Sequence, residues 1–276
     1  MNWLQDIYPE VAMRLNLPLA NSLIGRLLAF LRNRSLKAAT ANVVVGQQMR
    51  AQILSREPAS ECVYVIHNWT DDEATQPVSQ FDNPLRHKWQ LEDKFVIAYS
   101  GNLGRAHEFN TLLAASQRLK DHPSIVFVCV GAGYGFDQLR RSVGQGGLDG
   151  TFRFFPYQDR NMLKYSLGVA DVHWISLKPE LEGLIVPSKF YGVAAAGKPI
   201  IAISAENGEI ARLITQHRCG LVIKPGDAEA LAQAIMDLAS DRKRVADMGR
   251  RARDMLELNF SRRHALERWQ TLLQGI

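Results

Sequence analysis

The chain is short of cysteine. Its 276 residues hold only three, Cys62, Cys129 and Cys219, and no two form a C-x-x-C pair. That argues against a disulfide framework and against a zinc site built on cysteines, and it fits a reducing compartment. Long apolar runs are missing too. The most apolar stretch, LIGRLLAFL at 23–31, is broken by Arg26. It falls far short of the ~20 residues a spanning helix needs. No basic region precedes it where a secretory signal would require one. There is no D-x-D sequence, no internal repeat and no low-complexity tract. Nor are aromatic and basic residues interleaved as in single-strand nucleic-acid binders, so no nucleic-acid partner is expected. With 46% hydrophobic and 22% charged residues, the composition is that of a globular protein rather than a disordered or coiled-coil one.

What is present is unevenly placed. The net charge is +5, yet residues 1–56 carry seven basic groups against two acidic ones, and residues 241–270 carry nine against five. Both ends are basic and the middle is acidic. Such ends either suit an anionic partner such as a lipid surface or are ordinary solvated faces. The segment around 23–31 likewise has two readings. It packs its leucines on a core, or it lies amphipathically on a membrane surface.

From about residue 93 to 240, strand and helix patterns alternate. Apolar runs at 95–100, 124–130, 151–157, 171–177, 199–204 and 220–223 read as buried strands. Helical patterns fall between them, at about 107–120, 136–143, 161–169, 188–196, 209–216 and 228–240. Repeated β-α-β units require right-handed parallel crossovers, so this part is a doubly wound α/β domain. Residues 1–67 show a smaller α/β pattern, with strands at 3–8, 41–45 and 63–66 and helices at 21–37 and 47–54. So few strands make a poor core alone, and the piece reads as part of a domain. Residues 70–90 are polar, contain Pro77 and Pro84, and read as a linker. Two helices, broken near 259–261, close the chain, with Ser261 as N-cap.

Ligands of open α/β sheets bind beyond the carboxyl ends of the strands, so the turns there matter most. Gly101-Asn102-Leu103-Gly104-Arg105 follows a buried strand. Its glycines let backbone N–H groups face an anion, and Arg105 brings a permanent charge suited to phosphate. A plain β-α turn explains the glycines equally well. Gly131-Ala132-Gly133-Tyr134-Gly135 resembles a dinucleotide fingerprint only loosely, because its third glycine comes one residue early. A third loop runs through Glu180, Glu182, Pro187 and Ser188 to Lys189. Ser188 is the expected N-cap there. Lys189 in the first helical turn opposes the helix dipole, a placement that makes sense beside an anionic ligand. Among the histidines, His67, His107 and His173 are candidate bases, although His173 lies inside an apolar strand and reads as a core residue.

These segments together carry a resemblance. SGNLGRAH (100–107), VGAG (130–133), FFPY (154–157), PSKFYGVAAAGKP (187–199), GEIARLI (208–214) and CGLVIKPGDAEALAQAI (219–235) resemble the donor domain of retaining glycosyltransferases of family 4, which have the GT-B fold. VIHNWTDD (65–72) resembles the interdomain segment and FSRRHALERWQTLL (260–273) the closing helix of that fold. The resemblance implies one complete doubly wound Rossmann-like domain at 76–256 and a partial acceptor-side α/β domain at 1–75. A helix at 257–276 would cross back to the first domain, and the first part of the N-terminal domain would be lacking.

The implied activity is transfer of a hexose-type sugar from a nucleotide-diphosphate sugar, UDP-sugar in the first place, in surface polysaccharide synthesis. The acceptor would be lipid-linked or a saccharide, and the location cytoplasmic, at the inner face of the membrane. Carried over by residue, Gly101, Asn102, Gly104 and Arg105 would meet the diphosphate. Lys189, with the N–H groups at Ser188 and Lys189, would neutralise it, and Pro187 would shape that turn. Tyr157 and Gln158 would border the base, Glu182 the transferred sugar, and Glu209 would support the same loop.

Two departures stand out. The family's glutamate pair, seven residues between its members, falls on Leu184 and Gly192 here. The absence of D-x-D leaves cations rather than a metal to relieve charge, so no metal or other cofactor is expected. Two other functions share the pattern. One is a split, non-catalytic chain that binds nucleotide-sugar beside a complementary chain, and the other is an epimerase of the same architecture.

Overall fold

The computed structural model describes residues 1–56 and 62–275. Nine strands form two parallel sheets. The smaller contains β1 (Asn2–Leu4), β2 (Asn42–Val44) and β3 (Val63–Val65), in the order β1-β2-β3. The larger contains β4 (Phe95–Asn102), β5 (Ile125–Ala132), β6 (Phe152–Phe155), β7 (Val172–Ser176), β8 (Ile200–Ile203) and β9 (Gly220–Ile223), in the order β6-β5-β4-β7-β8-β9. The chain winds outward from β4 to β6, then returns to the centre and winds the other way. Its topological switch point therefore lies between β4 and β7, where Ile97 and Ala98 pair with Val172 and His173. The fold is α/β: a doubly wound unit on the six-stranded parallel sheet beside a smaller unit on the three-stranded one.

The two sheets share a core. Ile7, Val11, Val44 and Met49 of the first unit pack with Leu181, Leu184, Phe190 and Tyr191 of the second in one buried cluster. The closing helix Arg262–Gln274 packs Ala265 and Leu272 on Ala41, Val43 and Ile66 of the first sheet.

Several expectations change in detail. The first strand ends at Leu4 rather than running to residue 8, because Asp6 and Ile7 leave the sheet. Asp6 forms an antiparallel bridge with Ile185, and the Ile7 N–H donates to the Leu184 carbonyl at 2.9 Å. The segment read as a linker contains a helix, Pro84–Lys88, started by Asn83, whose side chain accepts the Leu85 N–H at 3.0 Å. The helix expected from 107 begins only at Asn110, since the glycine turn takes up the residues before it. Ser188 stands at the N-cap position but makes no capping bond through its side chain, whereas Ser261 does, accepting the His264 N–H. The helix Leu23–Ala38 does not bury its leucines. Only Gly25 and Leu36 of that helix are buried.

Candidate donor site at the switch point

Each side of the switch point ends in a turn, and the two turns meet. Gly101 holds φ +132°, a conformation L side chains rarely adopt. A Cβ there would lie 2.5 Å from Lys189 Cε. Glycine thus lets the lysine stem lie across the end of β4. Gly131 repeats the device on the next strand, where a Cβ would collide with the Gly101 carbonyl.

Lys189 opens the helix Lys189–Ala195, and its Nζ stands 5.5 Å from the centre of the Tyr99 ring. Burial pushes its pKa down. Among the described residues no carboxylate pairs with it. A half-buried ammonium without a counter-charge is costly, and an anion in the site would relieve that cost.

The loop that delivers Lys189 is braced by the N-terminal unit through the Asp6–Ile7 pairing with residues 184–185. Its partner turn is braced by side chains. The Tyr99 hydroxyl donates to the Asn102 carbonyl at 2.7 Å, and His107 Nδ1 lies 2.8 Å from the Ser176 carbonyl. Burial and the nearby Lys189 push the His107 pKa down to about 4. The imidazole is neutral at neutral pH and ties the ends of β4 and β7 together, a positioning role rather than that of a charged ligand. Arg105 is exposed and stacks its guanidinium 3.8 Å over the Tyr134 ring. Arg105, Gly104, Tyr134 and Lys178 line a cleft of about 360 Å³ beside the turn.

Glu182 and Glu209 sit further along the same edge. The Glu182 carboxylate takes the N–H of Glu209 and rests against Gly208, where a Cβ would collide with it. Burial, reinforced by the Glu209 charge, lifts its pKa to about 7. Glu209 itself reaches across to the first unit, accepting the N–H groups of Gln47 at 3.0 Å and Gln48 at 2.9 Å at the start of the helix Gln47–Arg56. It therefore couples the two units besides supporting the loop.

The raised pKa of Glu182 has a consequence for stability. Below about pH 4.5 the group is protonated in both folded and unfolded chains. As pH rises toward 7 the unfolded chain ionises first, so the stability tied to the protonated carboxyl is progressively lost. Glu182→Gln should equal the parent in stability at low pH and exceed it above pH ~7 by on the order of 1–3 kcal/mol. Urea unfolding at several pH values reads this directly. A constant difference across the range would count against it.

Tyr157 and Gln158 follow β6, two strands from β4. Tyr157 is exposed, and the Gln158 amide turns back onto the Pro156 carbonyl at 2.9 Å. No direct contact joins either residue to Lys189. The tyrosines beside the Gly101–Arg105 turn, Tyr99 and Tyr134, were not among the expected site residues, although each adjoins one of the glycine motifs. His173 is a core residue as expected, with Nε2 2.9 Å from the Leu167 carbonyl. A larger cavity of about 560 Å³, lined by Asp171, Lys198 and Arg242, lies at the opposite, amino end of the strands.

Comparison with known proteins settles the family. The glycosyl transferases group 1 family matches residues 82–255. The chain belongs to that family. WbjE of Pseudomonas aeruginosa, named a glycosyltransferase, is 28% identical over 274 residues, which cover 98% of this chain and 67% of WbjE. WcaI of Escherichia coli, named for colanic acid biosynthesis, is 29% identical over 82% of this chain and 57% of its own length. This chain spans between half and about two thirds of the length of the curated relatives it matches. Among solved structures, HepE of Anabaena in complex with UDP superposes with a TM-score of 0.78 at 17% identity, over 99% of this chain and 71% of HepE. A likeness at that identity speaks for the GT-B fold. No described helix is long and apolar enough to cross a membrane.

Proposed function

We propose that this chain binds the diphosphate of a UDP-sugar at the switch point and serves a retaining, family 4 type transfer of a hexose-type sugar. The acceptor is a saccharide or a lipid-linked saccharide of surface polysaccharide synthesis. The observation that carries the reading is Lys189, a desolvated cation with no carboxylate partner, laid across Gly101 at the one place where an open α/β sheet binds ligands. Support for the donor comes from HepE, solved with UDP and with UDP-glucose. Support for the pathway comes from WcaI and from LpsE, named for lipopolysaccharide core biosynthesis.

In this reading residues 76–256 form the donor domain, residues 1–75 the acceptor side, and residues 257–276 the helix that returns to it. Lys189 and Arg105 gather charge as the sugar–phosphate bond breaks, and stabilising that developing charge is the main electrostatic work of the transfer. With the cations in place, no metal is required. Glu182, protonated or not near neutrality, faces the sugar, and Tyr157 and Gln158 border the base. In the same reading the protein acts in the cytoplasm, at the inner face of the membrane.

The test is turnover of UDP-sugars by the purified chain, with the anomeric configuration of the product read by NMR. Retained configuration supports the reading, and inversion contradicts it. Tight UDP binding without any transfer would assign the chain to the binding-only alternative.

A further inference from the structure

The cavity at the amino ends of β7 and β8 is far from the candidate donor site and takes no part in it. At about 560 Å³ it has room for a small-molecule ligand. Its walls come from residues 77–80, Asp171, residues 196–199 and residues 242–254, all in the larger unit. Four cations line it, Lys198, Arg242, Arg250 and Arg253, against the carboxylates of Asp171 and Asp254, so four against two leaves +2. Pro77, Val78, Pro199 and Val245 give it an apolar wall.

Most of these charges are already answered within the fold. Each Asp171 oxygen takes two donors. One accepts Arg242 and Gln80 Nε2, both at 2.5 Å, and the other accepts the Val96 N–H at 2.7 Å and Arg86 at 3.5 Å. A carboxylate offers about four acceptor positions, so Asp171 is full. Arg253 spends its guanidinium on the carbonyls of Asp72, Thr75 and Ala195 and on Glu257.

Lys198 is the exception. Among the described residues its ammonium makes no hydrogen bond and no close ion pair. Burial pushes its pKa down to about 8, with Asp171 opposing the shift and Arg86 adding to it, so the group is still mostly charged at neutral pH. A desolvated ammonium with empty donor positions is costly until a ligand completes it. Arg250 stands at the rim, 71% exposed, with only Asp247 one helical turn away as partner. A surface pair of that kind is weak and leaves the guanidinium open to a ligand.

We propose that this cavity is a second ligand site, separate from the donor site, for a small organic phosphate. Its phosphate lies toward Lys198 and Arg250, and its apolar part rests on Pro77, Val78, Pro199 and Val245. A phosphate monoester brings a charge of about −1.5 to −2 at neutral pH, which matches the excess charge of the lining. Its three oxygens can serve the lysine and the arginine together, which a carboxylate does less well.

The probe is phenyl phosphate, titrated into the full chain by calorimetry beside inorganic phosphate, with and without UDP. Phenyl phosphate should bind roughly tenfold or more tightly than inorganic phosphate, because the ring gains the apolar wall. UDP should leave its binding unchanged, as should Lys189→Ala. Lys198→Met should weaken it roughly tenfold or more, and Arg250→Gln about threefold or more. Lys198→Met keeps an apolar stem and removes a charge that the saturated Asp171 does not need, and Arg250 is exposed, so both variants should melt like the parent. Displacement by UDP, or loss in Lys189→Ala, would put the probe in the donor site and overturn the proposal. So would absence of binding by the parent, equal affinity for the two phosphates, or affinity that neither Lys198→Met nor Arg250→Gln changes.

Discussion

Lys189→Ala should weaken UDP binding roughly 10- to 150-fold, the range set by losing hydrogen bonds to a charged group. The parent holds a half-buried ammonium that no carboxylate among the described residues offsets. A diphosphate supplies the missing charge in a site where water screens little. The variant loses that attraction and fills the space with solvent. Its fold should persist, since the lysine makes no hydrogen bond that the neighbouring elements need. Calorimetry with UDP measures the loss, and uridine serves as the control. Without phosphates, uridine should bind parent and variant alike. Equal weakening of UDP and uridine would show that the substitution disturbs the base site or the fold instead. Unchanged UDP affinity would remove Lys189 from the diphosphate site.

The second large effect is on stability and lies at the other end of the same strands. Asp171 immediately precedes β7 and is fully buried. Its carboxylate accepts the Val96 N–H of β4 at 2.7 Å and pairs with Arg242 at 2.5 Å and with buried Arg86 at 3.5 Å. The Arg86 guanidinium also donates to the carbonyls of Val169, Leu91 and Lys94, each at 2.8 Å. The carboxylate thus fixes the amino ends of β4 and β7, the pair that opens into the candidate donor site. Asp171→Ala leaves Arg86 buried without a counter-charge and the Val96 N–H without its acceptor. A cost of about 3–5 kcal/mol is expected. For a chain of this size that lowers Tm by roughly 10 °C or more. Arg242 contributes little to the figure, because it is half exposed and water screens the pair. A shift of only a degree or two would show that Arg86 finds its compensation in the three carbonyls alone.

The larger unit was legible in the sequence for physical reasons that the first unit lacks. Strands buried on both faces appear as unbroken apolar runs such as FVIAYS at 95–100, and parallel crossovers fix their neighbours. The turn glycines point to the candidate site because they mark backbone that L side chains rarely adopt, as Gly101 shows. Short strands leave a weaker signal. Three-residue β1 was read as far as residue 8 because Asp6 and Ile7 look extended, yet they are extended against Leu184 and Ile185, a partner nearly 180 residues away. The reach of Glu209 to Gln47 and Gln48 was hidden in the same way. The helix at 84–88 was missed because Pro84 and its polar neighbours look like a linker, and only Asn83 hints at a cap. The direction of the helix Leu23–Ala38 could not be read from its leucines, since an apolar row fits a core and a membrane equally. Gly25 decides it: a Cβ there would collide with Ala20, so its absence lets that side pack closely.

In the proposed complex the diphosphate of a UDP-sugar sits between the Gly101 turn and Lys189. A crystal structure of the chain grown with UDP tests it most directly. Diphosphate oxygens are expected within hydrogen-bond reach of Lys189 Nζ and of the turn Gly101–Arg105, with uracil toward Tyr157. Diphosphate bound instead in the basic cavity at the amino ends of the strands, beside Lys198 and Arg242, would contradict it.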